Sequence, residues 1–519
     1  MNTQPIERYG VWFILAGLFF GFFFQLGSVP LFDLDEGAFT EATREMLASG
    51  NYLTTYLNGA PRFDKPILIY WFQALSVTLF GLNEFALRLP SALAATAWVG
   101  VLYLFTRRYY DRSVAVMAAF FMATALQITI IAKAAIADAL LNLFIAATMF
   151  MIYLYYTERK KLHLYAVFAL IGLGVLTKGP IAILVPGAVT LIFFAIKKEL
   201  GFWAKSLFNP VGLLIFAAVA GPWYVLEYLD QGQAFIDGFF LKHNVNRFSG
   251  SMEGHAGSLL YYVPVLLVGT LPYTSLLLKA IRNIRNWVTD DLHLFFTIWF
   301  LFVFLFFSFS GTKLPHYVIY GYTPLFVIMA MHIGRLRSDA LMVLPLLLLF
   351  GLLLFLPEIA EAVRPHVKDP YARQIMQSAP AEFGLTYRLY IGGALAVLVA
   401  LLFMKRLERI YKLIVLGLVS TVAVNGAVIP AYARIAQAPI KEAAMIVNER
   451  GYDVHLWRLN MPSFLVYTEK IAKRDQPEAG EYVLTKRRHL EETFAAYDLI
   501  YEKHGIALAK ITHTRKEEQ

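Results

Sequence analysis

The amino-acid sequence predicts an all-α polytopic membrane protein with a small C-terminal α/β domain outside the membrane, and three observations carry that class. Apolar residues make up 58% of the 519 residues and charged ones 16%. That is more apolar surface than a water-soluble domain buries, and it recurs in blocks of spanning length. Lys and Arg gather at the ends of those blocks, in every second connection. From about residue 431 the blocks stop, and shorter helix-like and strand-like signals alternate.

About thirteen runs of roughly 20 residues, the length a helix needs to cross the hydrocarbon core, lie near residues 11–27, 89–106, 114–132, 138–156, 162–177, 180–196, 209–227, 258–278, 293–310, 315–332, 340–357, 388–404 and 411–430. The first has no small-x-small cleavage site and reads as an anchor. Arg107, Arg108 and Arg112; Arg159, Lys160 and Lys161; Lys197, Lys198 and Lys205; Lys279, Arg282 and Arg285; Arg335 and Arg337; and Lys405, Arg406, Arg409 and Lys412 then share one side with Arg8. The positive-inside rule makes that side cytoplasmic, and an odd number of spans puts the C-terminus outside; the resemblance given below implies that the membrane is a bacterial inner membrane and the outside its periplasm. The net charge of +9 is thus topological and implies no nucleic-acid partner. The chain has no cysteine, which excludes thiolate chemistry, disulfides and Cys-ligated zinc. It has no internal repeat, which disfavours transporters built from duplicated halves.

The chain therefore divides into a membrane domain, residues 1–430, and a tail domain, residues 431–519. Three external segments, about 28–88, 228–257 and 358–387, are too long to be simple turns and are where function is expected. Within the first, PILIYWFQALSVTLFG between Pro66 and Gly81 reads as an interfacial helix, because a span there would reverse the charge alternation of every later connection. In the tail, Ile440–Arg450 and Ser463–Lys470 read as helices, and Val454–Leu459, Tyr482–Lys486 and Leu499–Glu502 as extended.

The chemistry concentrates in LFDLDEGAFTEATREMLASGNYLTTYLNGAPRFDKPILIYW. Asp33, Asp35 and Glu36 stand where the chain leaves the first span, at the start of a helix whose N-terminus acids also suit for structural reasons. Arg44, Arg62 and Lys65 share the loop with apolar surface, a combination that fits an amphiphilic anion. Asp138 stands at the outer entrance of the fourth span, where an acid needs a partner or water. A salt bridge to Lys133 and a catalytic role are the alternatives.

DEGAFTEATREMLASGNYLTTYLNGAPRFDKPILIYW, followed by FGLNEFALRLPSAL, resembles the first periplasmic loop of the bacterial 4-amino-4-deoxy-arabinose transferases of lipid A. These share a superfamily, and the GT-C fold, with protein O-mannosyltransferases. The resemblance continues through AKAAIADALLNLF around Asp138, LTKGP at 176–180, FFLKHNVNRFSG at 239–250 and GTKLPHYVIYGYTPL at 311–325, in matching order over most of the membrane domain. It implies an integral-membrane glycosyltransferase that takes a sugar from a polyprenyl-phosphate carrier, most readily undecaprenyl, and passes it to a lipid or glycan acceptor among membrane lipids. Lys65 matches the phosphate-contacting lysine of the family, and Arg62, Arg247, Lys313 and Tyr317 are further candidates at the carrier phosphate. Asp35, with Glu36 and Asp138, is the candidate for catalysis. It would take a proton from a hydroxyl acceptor, or orient the sugar when the acceptor is a phosphate. Asp64 and His243 match a pair that shares a divalent metal, zinc, in relatives. Two ligands fall short of a closed site, so any metal is structural and none is required for the chemistry. Lys178 reads as a snorkelling lysine at an outer helix end. The chain departs from many relatives in having Ala38-Phe39 where they carry Arg-Tyr; Arg62 or Arg247 would replace the lost cation.

Overall fold

Apolar runs become helices because hydrocarbon offers no partner to a free N–H or C=O, and a helix satisfies both within one segment. The computed structural model of the protein describes residues 4–245, 257–283, 288 and 290–514. Among these, seven helices are long and apolar enough to cross a membrane: Glu84–Tyr109, Asp138–Glu158, Lys161–Lys178, Pro210–Gln231, Asp291–Phe309, Leu385–Phe403 and Arg409–Ala436. Two bent pairs, Arg112–Thr124 with Leu126–Lys133 at 63° and Asp339–Leu354 with Leu356–His366 at 60°, bring the number to nine. Hydropathy led to an expectation of thirteen, and length and composition do not reach it. The other four runs are helical but short or broken. They are Gln4–Leu18 continued by Phe19–Phe23, Ile181–Ile196, Tyr262–Gly269 followed by Thr274–Ile281, and a 3₁₀ turn, Pro315–Gly321, that leads into Tyr322–Met331. Pro272 and Pro315 stand at two of the breaks, where a missing N–H interrupts the ladder. A hydropathy window counts apolar residues and does not see such breaks.

Helix Leu68–Phe80 is 13 residues long, about 20 Å of rise, too short for a 30 Å core. It buries Leu68, Ile69, Tyr70 and Gln73 and exposes Trp71, Phe72, Leu75, Leu79 and Phe80, as an interfacial helix does. Gln73 fixes it to its neighbours, accepting from Thr43 Oγ1 at 2.7 Å and donating to the Ala135 carbonyl at 3.1 Å. Before it, strands β1 (Tyr56–Leu57) and β2 (Ala60–Pro61) pair antiparallel around Asn58-Gly59, both at positive φ (55° and 76°), the conformation a two-residue hairpin turn needs.

The exit of the first helix is held by one buried ion pair. Arg88, in helix Glu84–Tyr109, donates Nε to Glu36 Oε1 at 2.8 Å and Nη2 to Glu36 Oε2 at 2.7 Å. It also donates to the carbonyls of Leu26, Val29 and Pro30 at 3.1, 2.8 and 2.8 Å. Glu36 in turn accepts from the backbone N–H of Phe32 at 2.8 Å and of Ala135 at 2.7 Å.

The tail forms a four-stranded sheet of β3 (Val454–Leu456), β4 (Tyr482–Lys486), β5 (Phe494–Lys503) and β6 (Ile506–Thr514), in the order β3-β4-β6-β5. β3 and β4 are parallel and the other pairs antiparallel. Helices Ala438–Arg450 and Ser463–Thr468 supply much of its apolar packing. The sequence reading lacks β6 and the helix Arg487–Thr493. β6 carries two alanines, weak β-formers, and its hairpin turn is His504-Gly505, with φ of 47° and 80°. The helical side of the tail docks on the long loop between the first helix and helix Glu84–Tyr109. The Leu31 N–H donates to Tyr467 Oη at 2.7 Å, and Tyr467 Oη and Lys441 Nζ donate to Glu84 Oε1 at 3.0 and 2.5 Å. Asn58 and Ala472 exchange two hydrogen bonds of 2.9 Å, and Asp33 accepts from the N–H of Ser463 at 2.9 Å and from its hydroxyl.

Two outcomes follow. Glu36→Gln leaves Arg88 buried without its counter-charge and should cost about 3–5 kcal/mol, read as a fall in unfolding temperature in detergent. Burial pushes the Asp33 carboxyl up to about 7; the Ser463 bonds lower it and the Glu36 charge raises it further. A carboxyl raised by folding contributes stability in full below its ordinary value near 3.8, and that contribution is lost as pH rises through about 7. The unfolding temperature of the wild type relative to Asp33→Asn should therefore fall between those two pH values and level off above the higher.

Candidate functional site

Helix Asp35–Ser49 begins with Asp35 and Glu36 in its first turn, where carboxylates suit the helix dipole. The two acids then diverge. Glu36 turns inward to Arg88 and does not reach the cleft described here, so the structure gives it a structural position rather than the catalytic one expected. Asp35 is exposed and lines a cleft of about 340 Å³ with Phe39, Asp64, Lys65, Ile136, Asp138, Lys178, Leu314, His316 and Tyr317. Among the described residues its carboxylate makes no hydrogen bond or ion pair.

Opposite stands Asp138, the first residue of helix Asp138–Glu158. Its Oδ1 accepts from Lys178 Nζ at 2.6 Å and Tyr320 Oη at 2.9 Å, and His316 Nε2 lies 3.9 Å away. The partner expected from sequence, Lys133, instead donates to the Phe24 carbonyl at 2.6 Å. Lys178, read as a snorkelling lysine, is thus a member of the cleft, 5.7 Å from the ring centroids of Tyr317 and Tyr320. The signal for it was topological: two consecutive antiparallel helices place the last residue of one beside the first of the other. Gly179, which follows, has a φ of 77°, and a Cβ there would meet the ring of Phe239 at 2.6 Å. Only a residue without a side chain lets the chain turn while the ring of Phe239 packs against it.

The third wall is the Asp64 group. Lys65 Nζ donates to Asp64 Oδ1 at 2.8 Å and to the Asp64 carbonyl at 3.0 Å, and Arg62 Nη2 donates to Oδ2 at 2.9 Å. Arg62 also donates to Tyr70 Oη at 2.6 Å and lies 5.0 Å from the Phe39 ring centroid. Burial works to lower its pKa, but Tyr70, Asp64 and Asp35 outweigh it, and Arg62 stays charged. Burial raises the Tyr70 phenol to about 12, so it remains protonated. Tyr317 lines the cleft. Lys313, expected beside it, is buried and donates to the Ser310 carbonyl at 2.6 Å, outside the cleft lining. Arg247 and the side chain of His243 lie outside the described residues. Among the described residues, no three His, Cys, Asp or Glu side chains gather to hold a metal ion. Both Asp64 oxygens already face a cation, so these residues fit a divalent ion poorly.

The arrangement is a concave polar site in which three aspartates stand among two lysines, a histidine and a tyrosine, with Asp138 and Lys178 at helix ends. It can neutralise an anion while a carboxylate contacts a neighbouring group.

The family model for dolichyl-phosphate-mannose-protein mannosyltransferase matches residues 64–225. An uncharacterized protein of Aquifex aeolicus is 30% identical over 315 residues, 60% of this chain and 71% of its own. The undecaprenyl phosphate-alpha-4-amino-4-deoxy-L-arabinose arabinosyl transferase of Erwinia tasmaniensis is 30% identical over 333 residues, 63% of this chain and 60% of its own, so the match spans under two thirds of that relative. A crystal structure of ArnT from Cupriavidus metallidurans bound to undecaprenyl phosphate shares the fold, with a TM-score of 0.77 at 20% identity and 98% of each chain covered.

If Asp138 and Lys178 form the buried pair described, Lys178→Met alone should destabilise the protein by about 3 kcal/mol. The double variant Asp138→Leu, Lys178→Met should unfold closer to the wild type than either single change, as measured by a double-mutant cycle of melting temperatures.

Proposed function

The chain belongs to the dolichyl-phosphate-mannose-protein mannosyltransferase family, among its aminoarabinose-transferase-like members, and on that premise we propose that it moves a sugar from an undecaprenyl phosphate carrier to an acceptor on the periplasmic face of the inner membrane, lipid A or a related envelope glycolipid. The observation that carries this reading is the single cleft in which Asp35 and Asp138 face Lys65 and Lys178. In the transfer, an acceptor oxygen bonds to the anomeric carbon while the carbon–oxygen bond to the carrier breaks and its electron pair leaves with polyprenyl phosphate. Lys65 is the fixed cation for the charge that grows there. Arg62 holds Asp64, and through it the lysine, in place, and Arg247 is proposed as a second phosphate contact. Asp35 takes the proton of a hydroxyl acceptor, or orients the acceptor when it is a phosphate. Asp138, locked to Lys178, suits holding the sugar rather than moving a proton. No step passes through the proposed zinc pair, Asp64 and His243; if zinc were bound there, it would act structurally.

The same reading takes all thirteen apolar runs as spans, with the N-terminus cytoplasmic, residues 1–430 as the transferase domain and residues 431–519 as a periplasmic domain. The alternation of basic connections and the helical state of every run support it. Transfer to a protein or glycan hydroxyl would use the same residues. A flippase for the lipid-linked sugar would need charges along a path through the bilayer, whereas the charges of this cleft stand at helix ends.

The test is transfer of radiolabelled sugar from a panel of undecaprenyl phosphate sugars to total membrane lipid and glycan. Lys65→Ala should lower the rate by about 10²–10³, and Asp35→Asn by about 10²–10⁴ where the acceptor is a hydroxyl. Folded protein that binds undecaprenyl phosphate but transfers from no donor would favour the flippase.

A further inference from the structure

We propose that Ser463, in the C-terminal layer, is a positioning residue for the Asp35 carboxylate, acting through Asp33. The inference rests on the transferase reading and gives the C-terminal layer a part in it.

Asp33 and Asp35 flank a single residue, Leu34, at the mouth of helix Asp35–Ser49. Both oxygens of Asp33 are taken by Ser463, 430 positions away in sequence: the Ser463 N–H donates to Oδ1 at 2.9 Å and its hydroxyl to Oδ2. Ser463 is fully buried. The approach is so close that Gly37, in the first turn of the helix, has no room for a side chain. A Cβ there would meet the Ser463 nitrogen at 2.6 Å as well as Asp33 itself. The glycine of the Asp-Glu-Gly sequence therefore serves the docking of the tail as well as the helix.

Asp35, by contrast, makes no hydrogen bond or ion pair of its own among the described residues. Its direction is set by the backbone on either side of it. Glu36 is clamped to Arg88 on the C-terminal side, and Asp33 is clamped to Ser463 on the N-terminal side. Removing the hydroxyl half of the second clamp leaves Asp33 on the Ser463 N–H alone, loosens the backbone before Asp35 and lets the carboxylate leave the line of attack, and a small misplacement is enough to slow a reaction that depends on orientation. Donor binding is spared, because the cations of the cleft, Lys65 and Lys178, are attached elsewhere.

The experiment compares wild type, Ser463→Ala, Ser463→Thr and Asp35→Asn as full-length protein in lipid nanodiscs. Ser463→Ala should lower kcat about tenfold, equal to about 1.4 kcal/mol in the barrier. The donor KM and the affinity for undecaprenyl phosphate alone should stay within about twofold, and Ser463→Thr, which keeps the hydroxyl, should recover most of the rate. An unchanged kcat overturns the inference. So does a joint loss of rate, affinity and melting temperature that threonine does not repair, because that is unfolding. If the wild type transfers from no donor, the transferase reading fails by itself, and a cryo-EM structure of Ser463→Ala decides the inference. Asp35 displaced from Lys65 and Tyr317 supports it, and Asp35 unmoved overturns it.

Discussion

The Glu36–Arg88 pair is the constraint from which the rest of the site follows. Arginine has five N–H donors in a rigid fork, and here every branch is engaged, by two carboxylate oxygens and three carbonyls. The three carbonyls belong to the chain as it leaves the first helix, and the carboxylate belongs to the next one. Glu36 then reaches the N–H of Ala135, three residues before Asp138. One buried pair thus indexes three segments against one another: the exit of the first helix, the start of the loop helix and the turn before the second acid. A buried ion pair is weak evidence for net stability, because desolvation opposes it. Its contribution here is register, which a close-packed apolar contact would specify less sharply.

Around that frame, Asp35 apart, the acids of the cleft are already partnered. Asp138 is held by Lys178 and Tyr320, and Asp64 by Lys65 and Arg62. An empty site with this many unpaired ions beside the bilayer would be costly, and pairing avoids it. The pairs are also oriented dipoles, so the carrier phosphate of the proposed reaction would meet donors that are fixed before it arrives and need little rearrangement. The broken helices serve the same end. Interrupted backbone at membrane depth is tolerated where it lines a polar cavity, and Pro315 opens the segment that carries His316 and Tyr317 into the cleft.

The legible parts of this molecule were those with local signals. Apolar runs gave the helices, the Pro66 and Gly81 boundaries gave the interfacial helix, and the crowding of acids and bases in the first loop marked the region where the family resemblance singled out Asp35 and Lys65. What could not be read were pairings between residues far apart in sequence. Asp138 with Lys178, Glu36 with Arg88, and Asp33 with Ser463 are separated by 40, 52 and 430 positions, and nothing in one partner announces the other. Lys313 erred the other way: its motif pointed to the cleft, but the turn at Ser310 captures its ammonium. In the tail, β6 was missed because alanines give little periodic signal, although His504-Gly505 marks its turn.

Helix Leu68–Phe80 lies along the surface with Trp71, Leu75 and Leu79 turned outward, and through Gln73 it is tied to the loop helix and to the turn before Asp138. On the interfacial placement proposed for this helix, the lateral pressure of the surrounding headgroups would bear on one wall of the cleft. Lipid packing would then be a mechanical variable of the site, and a detergent micelle and a bilayer would load the same residues differently.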